Sequence, residues 1–492
     1  MASLFNKMAK GFAILSGARL FEFFIGLLRV KIAASTLGLA GMGIYNQIIL
    51  FTDKLSIFTL LSTGEGLVKQ ISSAKSQKNE EDIILGSLKS YVFLICIFLI
   101  LSISLVMIFQ NEMAKVIFGK EGLNQYLFIA LLSLPFLVST SIPHSIMRAY
   151  SDMETIAKAR VITALAAVSL TIPLILTLSL KGAAISIFFT HILSFFVNIF
   201  FLIQKNFYGI NFNLQLFLKS KINKELLNEL LKFSSFGFII GAYLIIGELL
   251  CRNFLINAEG IEALGNYAPI FLWSSVITSI ILPALSTYLY SSMCNAKDNF
   301  EVSSLLNDGI RLVTLILLPI ILFSIPFKEL IIKIIFSEVF VGAAIFLPLH
   351  LLGLCFFSWQ AVLIKALSPR GYITQHGIIQ FIYISFDILV CFYLVSLFDI
   401  WGWVARFFIT PFIFFFIYLI FCFRTFNFSI ESKNLYMMIY LLFCLATLFY
   451  FDFLNYNFIN FLLGPFMVIS SILFLNADEK KWLALKFKKI IP

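Results

Sequence analysis

Three ionisable side chains, Arg19, Glu22 and Arg29, stand in an otherwise apolar stretch near the start of the chain. On a helix turning about 100° per residue, Glu22 and Arg29 fall about 60° and 80° from Arg19, so the three share one side. Another apolar stretch carries Glu248 and Arg252, one helical turn apart. Asp53 and Lys54, then Asp387 and Arg406, interrupt further apolar runs, and Glu65 lies near the end of one. Arginine in such surroundings suits a phosphate-bearing ligand. Its planar fork stays charged when buried and meets phosphate oxygens two at a time. Arg19, Arg29 and Arg252, with Lys54 and Arg406 behind them, are the candidate cationic contacts. Glu22, Asp53, Glu248 and Asp387 could take up a proton or sodium ion, or could neutralise a neighbouring arginine. Arg29 has no acid three or four residues away on its own helix.

Other chemistry is thinly represented. His144, His191, His350 and His376 are scattered, with no metal-ligand spacing. The seven cysteines fall mostly inside apolar runs with no C-x-x-C, as small core residues do. No metal site or cofactor is expected. There is no G-x-x-x-x-G-K-[ST] loop and no soluble segment large enough for an ATPase. A transport cycle would therefore draw on an ion gradient or on the membrane potential, about 2.3 kcal/mol per charge per 100 mV.

The elements that position these residues follow from composition. Of the 492 residues, 60% are hydrophobic and 13% charged, which places the chain in the membrane class. Apolar runs of bilayer-spanning length recur almost end to end, and about fourteen transmembrane helices are expected. They centre within 11–34, 43–67, 90–109, 124–147, 161–180, 183–203, 233–256, 265–290, 310–326, 341–364, 373–397, 401–423, 434–451 and 457–475. The breaks near Gly182 and Asp399 are the least marked. The net charge of +10 does not point to nucleic acid, because lysine and arginine crowd into alternate loops without a zinc-finger spacing or basic helix. That bias places both termini in the cytoplasm. Lys7 and Lys10 imitate the start of a signal peptide, but Arg19, Glu22 and Arg29 break its apolar region, so a charged first transmembrane helix is expected.

The chain repeats itself. GLAGMGIYNQI at 38–48 returns as GIEALGNYAPI at 260–270, sharing the frame G-x-x-x-x-G-x-Y-x-x-I at an offset of 222. The same offset aligns Lys10 with Lys232, and brings Arg29 to within one residue of Arg252. RAYS at 148–151 resembles KALS at 365–368. The expected architecture is all-α: two parallel six-helix lobes around a central cavity, related by an axis along the membrane normal, plus two C-terminal helices. Boundaries are set at 1–206 for the N-lobe, 232–426 for the C-lobe, 427–476 for the added pair and 477–492 for a basic cytoplasmic tail. Residues 207–231 place Leu214, Phe217, Leu218, Ile222, Leu226 and Leu230 at helical spacing with lysines between. An amphipathic helix on the cytoplasmic membrane surface is expected to join the lobes there.

The charged first helix, LGLAGMGIYNQI (37–48) and STGEGLVKQISSAK (62–75) resemble the bacterial polysaccharide flippases of Wzx type, the O-antigen class. These belong to the multidrug/oligosaccharidyl-lipid/polysaccharide exporter superfamily. The layout of both lobes shares in the resemblance, while its wording sits mainly in residues 10–80. It implies a non-enzymatic flippase in the bacterial cytoplasmic (inner) membrane. The cargo would be an undecaprenyl-pyrophosphate-linked oligosaccharide, moved from inner to outer leaflet by alternating access. Membrane lipids, and other polysaccharide assembly proteins, would be its partners. It also implies a cationic cavity for the pyrophosphate and sugars, a role carried over to Arg19, Arg29 and Arg252, then to Lys54 and Arg406.

Three rivals remain. Fourteen spans rather than twelve resemble the lipid II flippases, whose added pair forms a groove for the lipid tail. A multidrug pump of the same superfamily would be expected to line its cavity with acids rather than arginines. A membrane-embedded polysaccharide polymerase or ligase would carry a large outer loop, whereas the loops near 110–123 and 327–340 are short and lack arginine and histidine.

Overall fold

The computed structural model describes residues 2–61, 63–74, 80–209, 217, 224–454 and 457–474. Nine of its helices are long and apolar enough to cross a membrane. Three of these, Gly17–Leu60, Met153–Gln204 and Ile373–Phe426, reverse at one residue in the left-handed region and so cross twice. The reversals sit at Gly38 (φ 65°), Ser179 (φ 49°) and Asp399 (φ 52°). The helix Ile261–Asn295 and the shorter apolar helix Ile459–Ser470 complete fourteen crossings among the described residues. This is an all-helical, multi-span integral membrane fold. Each helix satisfies its backbone donors and acceptors within its own segment, as lipid, which offers no hydrogen-bond partner, requires.

Two of the reversals are copies of one device. Ser179 (ψ −126°) is followed three residues on by Gly182, and Asp399 (ψ −131°) by Gly402. A Cβ on Gly182 would lie 1.8 Å from the Leu174 carbonyl oxygen; one on Gly402 would lie 2.1 Å from that of Leu394. Each turn thus folds so tightly that backbone meets backbone eight residues away, and only glycine fits. The sequence placed the first break at Gly182. The left-handed residue is Ser179, and the glycine supplies the close approach.

Contacts divide the chain into two compact units, Met1–Gly265 with Ile335–Ser337 and Asn266–Ile334 with Glu338–Pro492. In the first, Leu67, Ile71, Tyr91, Leu134, Val138, Ile146 and Met147 form a dry core where the segment after the second crossing meets the third and fourth. The repeated phrase has a reciprocal geometry within this unit. A Cβ on Gly43 would strike the Ile261 carbonyl at 2.4 Å, and one on Gly265 would strike the Leu39 carbonyl at 1.9 Å. At the offset of 222, Gly265 is the counterpart of Gly43 and Ile261 that of Leu39. The contact is therefore self-complementary, i against j and j against i, as across a two-fold.

In the second unit Trp359 is fully buried and donates its indole N–H to Thr314 Oγ1 at 2.9 Å. The helix Ser432–Phe453 is tied to this unit at both ends. At its start the buried Asn307 donates to the Ser429 carbonyl (3.0 Å) and accepts from the Glu431 N–H (2.8 Å), while Asn434 donates to the Asn307 carbonyl (3.0 Å). At the other end Lys328 pairs with Asp452.

Several expected boundaries move. The fifth crossing begins at Met153, not 161, because Asp152 caps it, accepting from Thr155 N (3.0 Å) and Thr155 Oγ1 (2.7 Å). The ninth begins at Asn299, not 310, capped by Asp298. The second ends at Leu60, and a separate helix Gly64–Ala74 follows. Most of the expected surface helix at 207–231 and all of the basic tail at 477–492 lie outside the described residues; helix resumes at Lys224.

Candidate functional site

The first crossing holds the charges on which the sequence reading turned. Arg19 and Glu22 are exposed, Arg29 is half-buried, and the buried Nε of Arg29 has no hydrogen-bond partner. Among the described residues, Arg19, Glu22, Arg29, Asp53 and Lys54 form no salt bridge. The Arg19–Glu22 neutralisation that the sequence allowed is thus not made. These groups nevertheless gather. Arg160, on the fifth crossing, lies within electrostatic range of Glu22 and Arg19, and His144 within range of Arg160 and Arg148. About ten residues, or ~15 Å, along the first helix, Arg29 lies within range of Asp53 and His191. One face of the first crossing therefore carries a charged column in two tiers, fed by the second, fifth and sixth crossings.

The other candidates are engaged. Arg252 is buried, donates from Nε to Glu248 Oε1 at 2.7 Å and from Nη1 to Gln47 Oε1 at 3.2 Å. In the second unit Arg406 is 1% exposed, packs 4.2 Å over the Trp403 ring and 4.6 Å over Phe407, and stands 3.6 Å from Asp387. A guanidinium held between aromatic faces and a carboxylate has its charge balanced locally. It closes the hairpin of the eleventh and twelfth crossings. Of the five cationic candidates, the structure thus brings Arg19, Arg29 and Lys54 to helices with unpaired charge, and places Arg252 and Arg406 in pairs. The other two histidines are partnered elsewhere: His350 Nδ1 meets the Tyr267 hydroxyl, and His376 Nδ1 the Tyr418 hydroxyl.

Arg160 and Gln47 were not singled out from the sequence, and His191 was set aside with the scattered histidines. The first was assigned to a loop because the fifth crossing was begun eight residues too late. The signal was present in S-D-M-E-T (151–155), an aspartate N-cap with an acid in the first turn. Beyond the membrane end of this helix, burial works against ionisation of Asp152, yet donors from Thr155, Tyr208 (2.9 Å) and Lys205 (3.3 Å) hold its carboxyl below the usual range. Tyr208 also stacks on Tyr150 at 4.5 Å, fixing the corner between the fourth, fifth and sixth crossings.

Comparison with known proteins follows the same lines. The chain superposes on the lipid II flippase MurJ in an inward closed conformation with a TM-score of 0.73, at 17% identity, over 94% of this chain and 99% of that one. It superposes on a MATE protein in complex with MaL6 at 0.62, with 13% identity over 85% and 96%. For a MOP superfamily transporter from Pyrococcus furiosus the score is 0.60, with 15% identity over 85% and 97%. At these identities the likeness is one of fold. None of the curated proteins matches in sequence. A family model described as a polysaccharide biosynthesis protein matches residues 8–294, more than half of the sequence. The repeated phrase, the charged first helix and that match together place the chain: it belongs to the polysaccharide biosynthesis protein family.

Proposed function

We propose that this chain is a flippase that carries an undecaprenyl-pyrophosphate-linked oligosaccharide, of O-antigen or related type, from the inner to the outer leaflet of a bacterial cytoplasmic membrane. The observation that carries the reading is the column of Arg19 and Arg29 on the first crossing, neither of them in a salt bridge among the described residues and Arg29 with a buried Nε that has no hydrogen-bond partner, since cationic charge within a membrane span is costly and rare unless it serves a ligand. A pyrophosphate supplies the missing counter-charge. The lobes 1–206 and 232–426, joined by 207–231, would rock about the site, with both termini cytoplasmic, and no ATP is needed. Asp53, within range of Arg29, is the acid best placed to couple a proton or sodium ion to release. Glu22 stands in the same relation to Arg160.

Surface polysaccharide and leaflet distribution of the lipid-linked sugar test this reading. Arg29→Ala should lower export roughly ten- to a hundredfold, the scale of one lost charge-assisted contact, with the protein still in the membrane. Arg29→Lys should recover only part of it, since lysine keeps the charge and loses the fork. Unchanged surface glycan in Arg19→Ala and Arg29→Ala would remove both from the site.

A second reading has its own support. The chain superposes on MurJ over 94% of its length and carries two helices, Ser432–Phe453 and Asn457–Ser470, after the second six crossings, which supports a lipid II cargo. Rescue of a strain depleted of its lipid II flippase would establish that cargo; restoration of surface glycan without such rescue would establish the first.

A further inference from the structure

We propose that Gln47 and Asn253, with Arg252, form a latch that seals the end of the first unit where Gly38 and Gly260 reverse the chain, the outer face by the charge bias of the loops. Three helices meet there, and side-chain amides join them. Gln47, 1% exposed, accepts from Arg252 Nη1 at 3.2 Å and donates from Nε2 to the Ile117 carbonyl at 2.7 Å. Asn253 donates from Nδ2 to the Val116 carbonyl at 2.8 Å and to that of Lys115 at 3.3 Å. Lys115, Val116 and Ile117 end the helix Gln110–Phe118. The last four carbonyls of a helix have no partner within it. Here two residues from other helices, Gln47 at the outer end of the second crossing and Asn253 in the seventh, satisfy those of Ile117 and Val116, while the Lys115 carbonyl already accepts from the Gly119 N–H at 2.9 Å. Glu248 holds Arg252 from the same helix at 2.7 Å, which fixes the direction of its fork.

The chemistry of these contacts suits a closure that must open. Each is a neutral amide bond, or a guanidinium–amide bond, to a group that water satisfies equally well once the end is wetted. Breaking such a contact at an aqueous end exchanges one hydrogen bond for another, at a small net cost. An ion pair joining the helices, or a broad apolar seam, would be far harder to release. Between the amides and the reversals the helices pack closely: a Cβ on Gly43 or Gly265 would meet a carbonyl of the other phrase at 2.4 or 1.9 Å, and one on Gly119 would meet the Ile256 side chain at 2.1 Å. The repeated phrase supplies the smooth faces on which the helices part and close. On this assignment Arg252 holds the closed end, while Arg19 and Arg29 meet the anion.

The latch rests on the transport reading, but its test does not depend on export. Cys251, fully buried beside Arg252, is a native reporter of opening. Cys355, Cys391, Cys422 and Cys444 are buried in the second unit and serve as internal references. Gln47→Leu removes two hydrogen bonds, and Asn253→Ala removes three, the third accepted from Asn257 Nδ2 at 3.1 Å. In purified full-length protein each should speed alkylation of Cys251 by N-ethylmaleimide roughly tenfold or more, the four references keeping their rates. Mass spectrometry of the labelled peptides reads both. Unchanged Cys251 labelling in both variants would overturn the latch, as would a parallel rise at the reference cysteines, which marks general loosening. Unchanged surface glycan in a strain lacking this chain would remove the flippase reading while leaving the thiol result intact.

Discussion

Lys328 and Asp452 tie the C-terminal helices to the second unit, and their burial sets the size of the effect to expect when one is removed. Their side chains are 9% and 10% exposed, and the ammonium meets Asp452 Oδ2. Around them a small cavity of about 100 Å3 is lined by Ile325, Pro326, Glu329, Asn460 and Phe461 as well as the pair. Asn460 donates to the Leu448 carbonyl at 3.1 Å, which spends its amide nitrogen within the helix pair. Neutralising one partner strands the other charge in this setting, and buried pairs broken in that way lose about 3–5 kcal/mol, a factor of roughly 150 to 4,000 in the equilibrium. Lys328→Met and Asp452→Leu should each fall in that range. The double variant should recover most of the loss, because two apolar side chains need no counter-charge. Reversible unfolding in mixed detergent micelles gives the four free energies, and the cycle gives the coupling. A coupling below about 1 kcal/mol, the value of an exposed pair, would refute the claim that this bridge anchors the helix pair. The helix Ser432–Phe453 would then depend on its other tie, Asn307 with Asn434.

The paired turns offer a second test. Ser179→Gly and Asp399→Gly remove a left-handed strain worth about 1–3 kcal/mol and should raise thermal stability, whereas Gly182→Ala and Gly402→Ala drive a Cβ to 1.8 and 2.1 Å from a carbonyl and should lower it; a tolerated Gly182→Ala would contradict the geometry. The Asp152 cap gives a pH test. Its carboxyl is held below the usual range, so its stabilisation is fully present above the ordinary carboxylate pKa of about 4 and is lost as pH falls through the lower folded value. Asp152→Ala should cost about 1 kcal/mol at neutral pH, and the gap to the parent protein should narrow only below about pH 4; a gap that closes between pH 5 and 7 would mean a different group is titrating.

Much of the fold could be read because a bilayer enforces a length. Twenty apolar residues have few ways to be placed in lipid, so fourteen crossings followed from hydropathy, and the reversals at Gly38 and Asp399 fell where the apolar runs were broken. The starts of helices were less legible. The fifth and ninth crossings begin eight and eleven residues before their apolar cores, in polar turns that hydropathy passes over but that Asp152 and Asp298 mark as caps. That error removed Arg160 from the membrane and hence from the site. Gln47 was invisible for a different reason. It is an uncharged amide whose partner Arg252 lies 205 residues away, and no local pattern announces such a contact. Pairing was only half legible. Glu248 and Arg252, one turn apart, could be foreseen as a pair, but equally so could Arg19 and Glu22 by their spacing, and those two remain apart.

The duplication and the charge distribution obey different rules, and the difference bears on mechanism. What the two halves share is backbone geometry: Gly43 with Gly265 in close approach, and Ser179–Gly182 with Asp399–Gly402 in the same strained turn. These features decide how helices reverse and how near they lie. The intramembrane charges are not duplicated in kind. Arg29 and Arg252 occupy nearly equivalent positions, yet one has an unpartnered Nε and the other is held by Glu248 and Gln47. A ligand with one pyrophosphate needs a single anion site, and two equal sites would hold it back halfway. On the flippase proposal, pairing one arginine internally leaves the other for cargo, so a duplicated scaffold can offer an asymmetric site.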